Sequence, residues 1–586
     1  MTVPQHQQVR PATIAAFCLP LAVYATTAAR TAQGGDTTEF AWLAYAGGVA
    51  HPPGYPLYSL VVRLFAHLPF ESQYFRIALA SALFGAATVA LVQHLGARLT
   101  GRPWLALLAS LVFALSSPQW KLAGVPEVFT MNAMMALVVA LCSIRLAEST
   151  PEQLRRRAFV LGLTFGLGLS NHHTLILCAP LPLVALVAVA RRMSVASAWR
   201  AFVRATLGGL VGLTPYLVLL IAARVAGPEA LAWGDTRTLS SLLDHFLRRE
   251  YGTFRLYSGP GQEVNPGRSI AVFATHLTSS FAYAFAAVGV AGLVVALRRY
   301  RVKAIALASA LFCSSVVFLA IQNIPAIGDH VVARFHLLPM ALFAPFVVVG
   351  LVWVSERAKK PALLLVLLGI ALNARQHFQR ANWRADTAVE RMVMGLVEPL
   401  LPNAIVIGAG DHMLFTAGWV TQVLRVRPDV RYVDRERLSA RWYYERVRRE
   451  IPEFSLPYSA GSYPIEVLAI HLARATPTYV TATYPPHMSK ERLQLEPAGL
   501  AYLVVPRGTP SLPLIAALKQ LETATSHFGT QPAPIDNWSW DVHKQVGSMW
   551  ALLSAMSREQ NDPETSEYCL ERATALLPEP TPPERF

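Results

Sequence analysis

The chain has 586 residues, 53% of them hydrophobic and 15% charged, with a mean hydropathy of +0.37. That balance excludes a soluble enzyme of this size and predicts an integral membrane protein. The formal net charge of +15 would suit a nucleic-acid binder, but seventeen of the Lys and Arg residues fall in short loops on one side of the predicted spans, so the basic balance is mostly topology.

Residues from about 11 to 29 are apolar behind a short leader ending in Arg10, and they predict a retained first transmembrane helix. Gly34-Gly35-Asp36-Thr37-Thr38-Glu39-Phe40 follows directly, then Ala50-His51-Pro52-Pro53-Gly54-Tyr55-Pro56-Leu57-Tyr58. Asp36 and Glu39 have the spacing of a helix capping box, and a capping carboxylate is also held still, as a general base must be. The stretches 37–49 and 55–68 predict two short amphipathic helices in the membrane interface, joined by the His51-Pro52-Pro53-Gly54 turn.

Further apolar segments run at about 75–97, 104–119, 126–146, 158–170, 173–190, 203–224, 270–297, 303–321, 336–354 and 361–374, giving about eleven transmembrane helices. Alternate loops carry the seventeen basic residues, from Arg98 and Arg102 to Arg357, Lys359 and Lys360, and are cytoplasmic by the positive-inside rule. The outer connections then hold 36–58, 121–127, Asn171-His172-His173, the long loop 225–269 with Trp233 and Asp235, and 322–336 with Arg334. Polar groups converging on one membrane boundary from five connections point to a site there. The five cysteines show neither a disulfide framework nor metal-type spacing.

After about 375 the composition changes. Apolar runs at 404–407, 430–433, 477–480 and 501–505 read as buried strands alternating with helices at 440–451 and 512–525, an α/β domain over 375–535. An odd number of spans places it on the outer face. Gly408-Ala409-Gly410-Asp411-His412 lacks the further glycine of a dinucleotide fingerprint. Residues 536–577 read as a tetratricopeptide-like helical hairpin, with a structural cap as the bland alternative, and 578–586 as a disordered tail.

Several runs are long and specific: Gly35 to Phe40, Ala50 to Tyr58, Glu127-Val128-Phe129 before Asn132, Leu169 to Thr174, Trp233-Gly234-Asp235, and Arg248-Arg249-Glu250-Tyr251-Gly252-Thr253-Phe254. In these the chain resembles the domain of unknown function 2723 family, transmembrane protein 260-like protein O-mannosyltransferases of the GT-C superfamily. The resemblance implies a multispanning GT-C-like catalytic domain over 1–374, a polyprenyl-phosphate donor with mannose the expected sugar, and a protein Ser/Thr acceptor. Within that frame Asp36 is the expected general base, with Glu39 orienting the acceptor or tuning the base. Arg334, His173 and His172 are the candidates for the donor phosphate, with Arg248 and Arg249 behind them. Substrate contacts fall to His51, Tyr55, Glu127, Asn171, Trp233, Asp235 and Tyr251. No metal site is assigned, although Asp36, Glu39 and Glu127 together are a low-ranked candidate for a divalent cation. The competing readings are a GT-C transferase with a lipid or glycan acceptor or another sugar, and a transporter or flippase, which would place its acids at the midplane. The expected location is a bacterial inner membrane with a periplasmic site, or the endoplasmic reticulum membrane with a lumenal one.

Overall fold

The long helices Gln73–Thr100 and Leu337–Ser355 organise the membrane part. In this computed structural model, described for residues 5–227, 230–253, 255–256, 265–322, 324, 329–481, 493–526, 528 and 537–577, they pack on each other and on most of their neighbours. Gln73–Thr100 starts where Ser72 accepts a hydrogen bond from the Phe75 N–H (3.2 Å) and stops at Gly101 in the left-handed region (φ 70°). Leu337–Ser355 is apolar all round and 89% of its span is buried, whereas only 28% of the last span is, with Leu364 and Leu368 on its outer side. A uniformly apolar helix belongs inside a bundle, and a one-sided one at its lipid-facing rim.

Eight described helices are long and apolar enough to cross a bilayer, or ten if each of two bent pairs counts as one span. This lies close to the expected eleven, and two of the expected segments take a different form. The segment expected at 158–170 lies in helix Pro151–Asn171, which opens with Glu152, Arg155, Arg156 and Arg157 and is not among those ten. The single span expected at 270–297 is two helices, Pro266–Ser280 and Ala284–Arg299, bent by 104° at Ala282 and Tyr283, both of which have left-handed φ. Pro151–Asn171 packs on Val195–Gly212 through glycines. A Cβ on Gly162 would fall 1.7 Å from the Ala205 carbonyl oxygen, so only glycine permits that backbone approach.

Two short strands, β1 (Gly48–Val49) and β2 (Leu231–Ala232), pair in parallel and tie the first loop to the long loop. The C-terminal part holds a five-stranded sheet of β3 (Ile405–Gly408), β4 (Arg431–Asp434), β5 (Thr478–Thr481), β6 (Leu493–Ala498) and β7 (Ala501–Pro506), in the order β4-β3-β5-β7-β6. The first three are parallel, and β7 and β6 run antiparallel to their neighbours. Sequence reading misses β6, whose Pro497 is acceptable because β6 lies at the sheet edge. Helices Asn537–Glu559 and Pro563–Leu576 follow, the second capped by Asp562, which accepts from the Thr565 N–H. The tail 578–586 lies outside the described residues.

The first-loop helices are Gly35–Ala46 and Pro56–Ala66. The former does not float in an interface. Glu39, Phe40, Ala41 and Trp42 are all buried, because helix Asp411–Gly418 of the C-terminal part lies over it. Gly418 permits that contact, since a Cβ there would stand 2.3 Å from the Trp42 ring. The C-terminal part therefore sits on the same side of the bundle as Asp36.

Candidate active site

Asp36 and Glu39 do not form a capping box. The helix starts at Gly34, with no side-chain cap, and both carboxylates turn away to separate partners. Asp36 accepts a hydrogen bond from Arg334 Nη1 (2.9 Å), and the same nitrogen donates to Glu127 Oε1 (3.0 Å). One guanidinium nitrogen thus bridges carboxylates from the first loop and from the start of helix Val128–Ala147. Glu39, whose side chain is fully buried, accepts from the His51 backbone N–H (2.8 Å) and pairs with His51 Nδ1 (2.5 Å). His51 Nε2 lies 3.0 Å from the Tyr55 hydroxyl, so Glu39, His51 and Tyr55 form a continuous line.

The electrostatics separate the three acids. Burial acts to raise the Asp36 pKa, but Arg334 and His51 outweigh it and hold the carboxyl below its usual range. Burial would likewise keep His51 neutral, yet Glu39 and Asp36 raise it to about 9, so the Glu39–His51 pair carries a proton at neutral pH. Glu127 goes the other way. Burial dominates over Arg334 and pushes its carboxyl up to about 7, and its second oxygen is buried without a hydrogen-bond partner among the described residues. A folded-state pKa raised from the ordinary 4.5 means that Glu127 contributes stability that is complete below that value and is lost as pH rises through about 7. The unfolding midpoint should therefore fall across that interval, and Glu127→Gln should flatten the dependence in thermal scans of the detergent-solubilised protein.

These residues line a cavity of about 410 Å³. His51, Tyr55, Glu127, His172, Trp233, Tyr251 and Arg334 reach it with Asp36, while Glu39 stands behind His51. His172 is packed among Phe129, Tyr55 and Phe335. Its Nδ1 accepts from the Thr174 N–H (3.2 Å), and burial keeps it well below its ordinary pKa. It therefore borders the cavity as a neutral ring.

Three expected site residues are placed elsewhere. His173 is not among the lining residues. Its Nε2 lies 2.8 Å from the Tyr216 hydroxyl, and its ring packs on Phe246. Asn171 donates to the Val128 carbonyl (3.2 Å) and so joins two helix ends. Asp235 is ion-paired with Arg237 (2.7 Å), and its side chain is 56% exposed. The adjacent arginines also diverge. Arg249 pairs with Asp244, whereas Arg248, with φ 54°, lines the cavity over Tyr251, its Nε buried without a partner among the described residues.

As to a divalent cation, the expected set of Asp36, Glu39 and Glu127 is not brought together, because Arg334 stands between Asp36 and Glu127. Donor atoms of Asp36, Glu39 and His51 do lie within 4.8 Å of one another. Those of Glu39 and His51 are committed to each other, and Asp36 is committed to Arg334, so a cation would have to open these ion pairs. Sequence reading missed several lining residues. Phe415 and Asp411 come from the helix after β3, and Trp538 from the start of the C-terminal helix pair. Arg437 is paired with Asp411 and stacked 3.9 Å from the Trp233 ring centroid, closing that side. No local motif ties Phe415, Arg437 or Trp538 to Asp36, since 379 to 502 positions of chain separate them from it.

The bundle also has solved counterparts. It resembles the crystal structure of ArnT from Cupriavidus metallidurans bound to undecaprenyl phosphate, at TM-score 0.56 and 12% identity, over 86% of this chain and 98% of that one. For the apo structure of the same protein the values are 0.58, 13%, 85% and 98%. The class these define is a multispanning membrane protein with the GT-C fold. Residues 36–197 match the family model described as the Protein O-mannosyl-transferase TMEM260 N-terminal domain. It is 28% identical over 466 residues to Protein O-mannosyl-transferase TMEM260 of Mus musculus, covering 76% of this chain and 65% of that protein. It is 30% identical over 296 residues to Protein O-mannosyl-transferase tmem260 of Dictyostelium discoideum, covering 48% and 36% respectively. The chain thus spans less than two thirds of the length of either relative.

Proposed function

We propose that this chain is a membrane glycosyltransferase that moves a sugar, mannose in our reading, from a polyprenyl-phosphate donor to Ser or Thr hydroxyls of proteins, with its cavity on the outer or lumenal face. The observation that carries this reading is Asp36. It is an ionised carboxylate in the first turn of helix Gly35–Ala46, held by Arg334 at the wall of a cavity bounded by both membrane and C-terminal parts. The names of the relatives support the sugar and the acceptor, and the lipid phosphate bound in one GT-C counterpart supports the donor class. The arginine-rich short loops support the orientation.

In this mechanism Asp36 takes the proton of the acceptor hydroxyl as its oxygen forms a bond to the anomeric carbon. The bond from that carbon to the phosphate oxygen breaks, the phosphate leaves with the electron pair, and attack from the opposite face inverts the anomeric centre. Glu39 and His51 hold the loop in place as an ion pair whose imidazolium faces Asp36, while Glu127 shares Arg334 with it.

Arg334 already serves two carboxylates, so the charge of the departing phosphate falls to Arg248, whose Nε has no partner among the described residues. The test is transfer from polyprenyl-phosphate mannose to Ser/Thr peptides by the purified protein, with polyprenyl-phosphate binding measured alongside. Arg248→Gln should weaken lipid-phosphate binding by about 1.5–3 kcal/mol, the worth of a charge-assisted hydrogen bond. Equal binding would remove Arg248 from the donor site, and failure of the wild type to use any polyprenyl-phosphate sugar would overturn the function itself.

A further inference from the structure

We infer that the C-terminal helix pair forms the acceptor wall of the cavity, through Trp538 set against Gly34 and Gly35. This rests on the transfer reaction proposed above and assigns the side from which the hydroxyl arrives.

Trp538 lies in the first turn of helix Asn537–Glu559, which packs on helices Ala388–Val397 and Leu514–Thr525. It is more than a cap on the sheet part. Its indole stacks on His412 with ring centroids 4.8 Å apart and planes at 20°, and it lines the same cavity as Asp36. A Cβ on Gly35 would lie 3.0 Å from Trp538 Nε1, and one on Gly34 would lie 3.4 Å from its Cγ and 3.2 Å from His412 Cβ. Both glycines hold left-handed backbone, with φ 81° and 56°. The bare backbone before Asp36 is therefore bordered by the Trp538 ring and the His412 Cβ, both from the C-terminal part. His412 suits a packing role, because burial keeps it neutral, at about 4.

The origin of the walls assigns the side. Most lining residues come from the spans and their loops. Beyond Trp383, which follows the last membrane helix, the C-terminal part supplies Asp411, Phe415 and Trp538. A donor with an isoprenoid tail must reach Asp36 from among the spans, because its hydrocarbon has to stay in lipid. A protein hydroxyl comes from water, and the segments facing that approach are those of the C-terminal part. Two aromatic rings and an acid next to the base offer an amphipathic surface suited to peptide backbone and side chains.

The full-length protein in detergent can run two reactions from polyprenyl-phosphate mannose, transfer to Ser/Thr peptides and hydrolysis to water. Trp538→Ala should raise the KM for peptide by about tenfold or more, while donor hydrolysis and polyprenyl-phosphate affinity stay within about twofold. Trp538→Phe, which keeps an aromatic face, should recover transfer to within about threefold of wild type. Parallel loss of hydrolysis and transfer would make Trp538 a support for Asp36 or for folding alone, and unchanged transfer would make it bystander packing. Either result overturns the inference. A wild type that performs neither reaction overturns the proposed function, and this inference with it.

Discussion

Asp36→Asn is expected to lower transfer by about 10²- to 10⁴-fold, the range for removing a positioned general base, while the protein still folds and still binds polyprenyl phosphate. Asparagine matches the size of aspartate and can still accept the 2.9 Å hydrogen bond from Arg334, so the bridge to Glu127 survives. What it cannot do is take the acceptor proton. The pH profile gives an independent check. Because Arg334 and His51 outweigh burial and hold the Asp36 carboxyl below its usual range, the acid limb of transfer should lie below the ordinary carboxylate pKa. Transfer in wild type should accordingly persist at mildly acidic pH. Equal transfer by both proteins, measured with the same donor and peptide, would remove Asp36 from the reaction.

Replacing Arg334 with leucine should be the most damaging substitution for stability near the site. The Arg334 and Asp36 side chains are only 26% and 24% exposed and both line the cavity, and Glu127 is 2% exposed. Without the guanidinium, two carboxylates are left facing each other with no cation between them. Breaking a buried pair in this way costs about 3–5 kcal/mol, discounted here by the partial exposure onto the cavity. A large fall in melting temperature should result, together with an upward shift of the acid limb of any residual transfer, because the Asp36 carboxyl loses the cation that keeps it low. Arg334→Lys should recover much of both, since a single nitrogen, Nη1, makes both contacts and one ammonium can stand in for it. A melting temperature unchanged by Arg334→Leu would mean that the two acids are neutral in the folded protein and that the bridge carries no charge.

The stretches that proved informative in the sequence are those in which chemistry is written in consecutive residues. Gly34 to Phe40 and Ala50 to Tyr58 both border the cavity, because the loop that carries them is only two short helices long and cannot move far from the spans beside it. The alternation of arginine-rich loops placed Glu127, His172 and Arg334 on one side with Asp36, and all four meet there. Neighbours in sequence were less reliable guides. His172 and His173 share a turn yet point to different places, one to the cavity and one to Tyr216, because the backbone passes from helix through an extended residue to a tight turn between them. Arg248 and Arg249 part company in the same way at a left-handed residue.

Apolar spans, their loop charges, the first-loop motif and the sheet strands β3, β4, β5 and β7 were all determined by local composition and periodicity, which depend on a few residues at a time. The partners of those residues were not. That Asp36 is bridged to Glu127 by Arg334, that Glu39 holds His51 instead of capping its own helix, and that Trp538 closes on Gly35 are contacts across 12 to 503 positions of chain. Only the packed fold brings such groups within a few ångströms. The balance of burial against the charges of Arg334 and His51 then decides which carboxyl stays ionised and which is raised toward neutral pH.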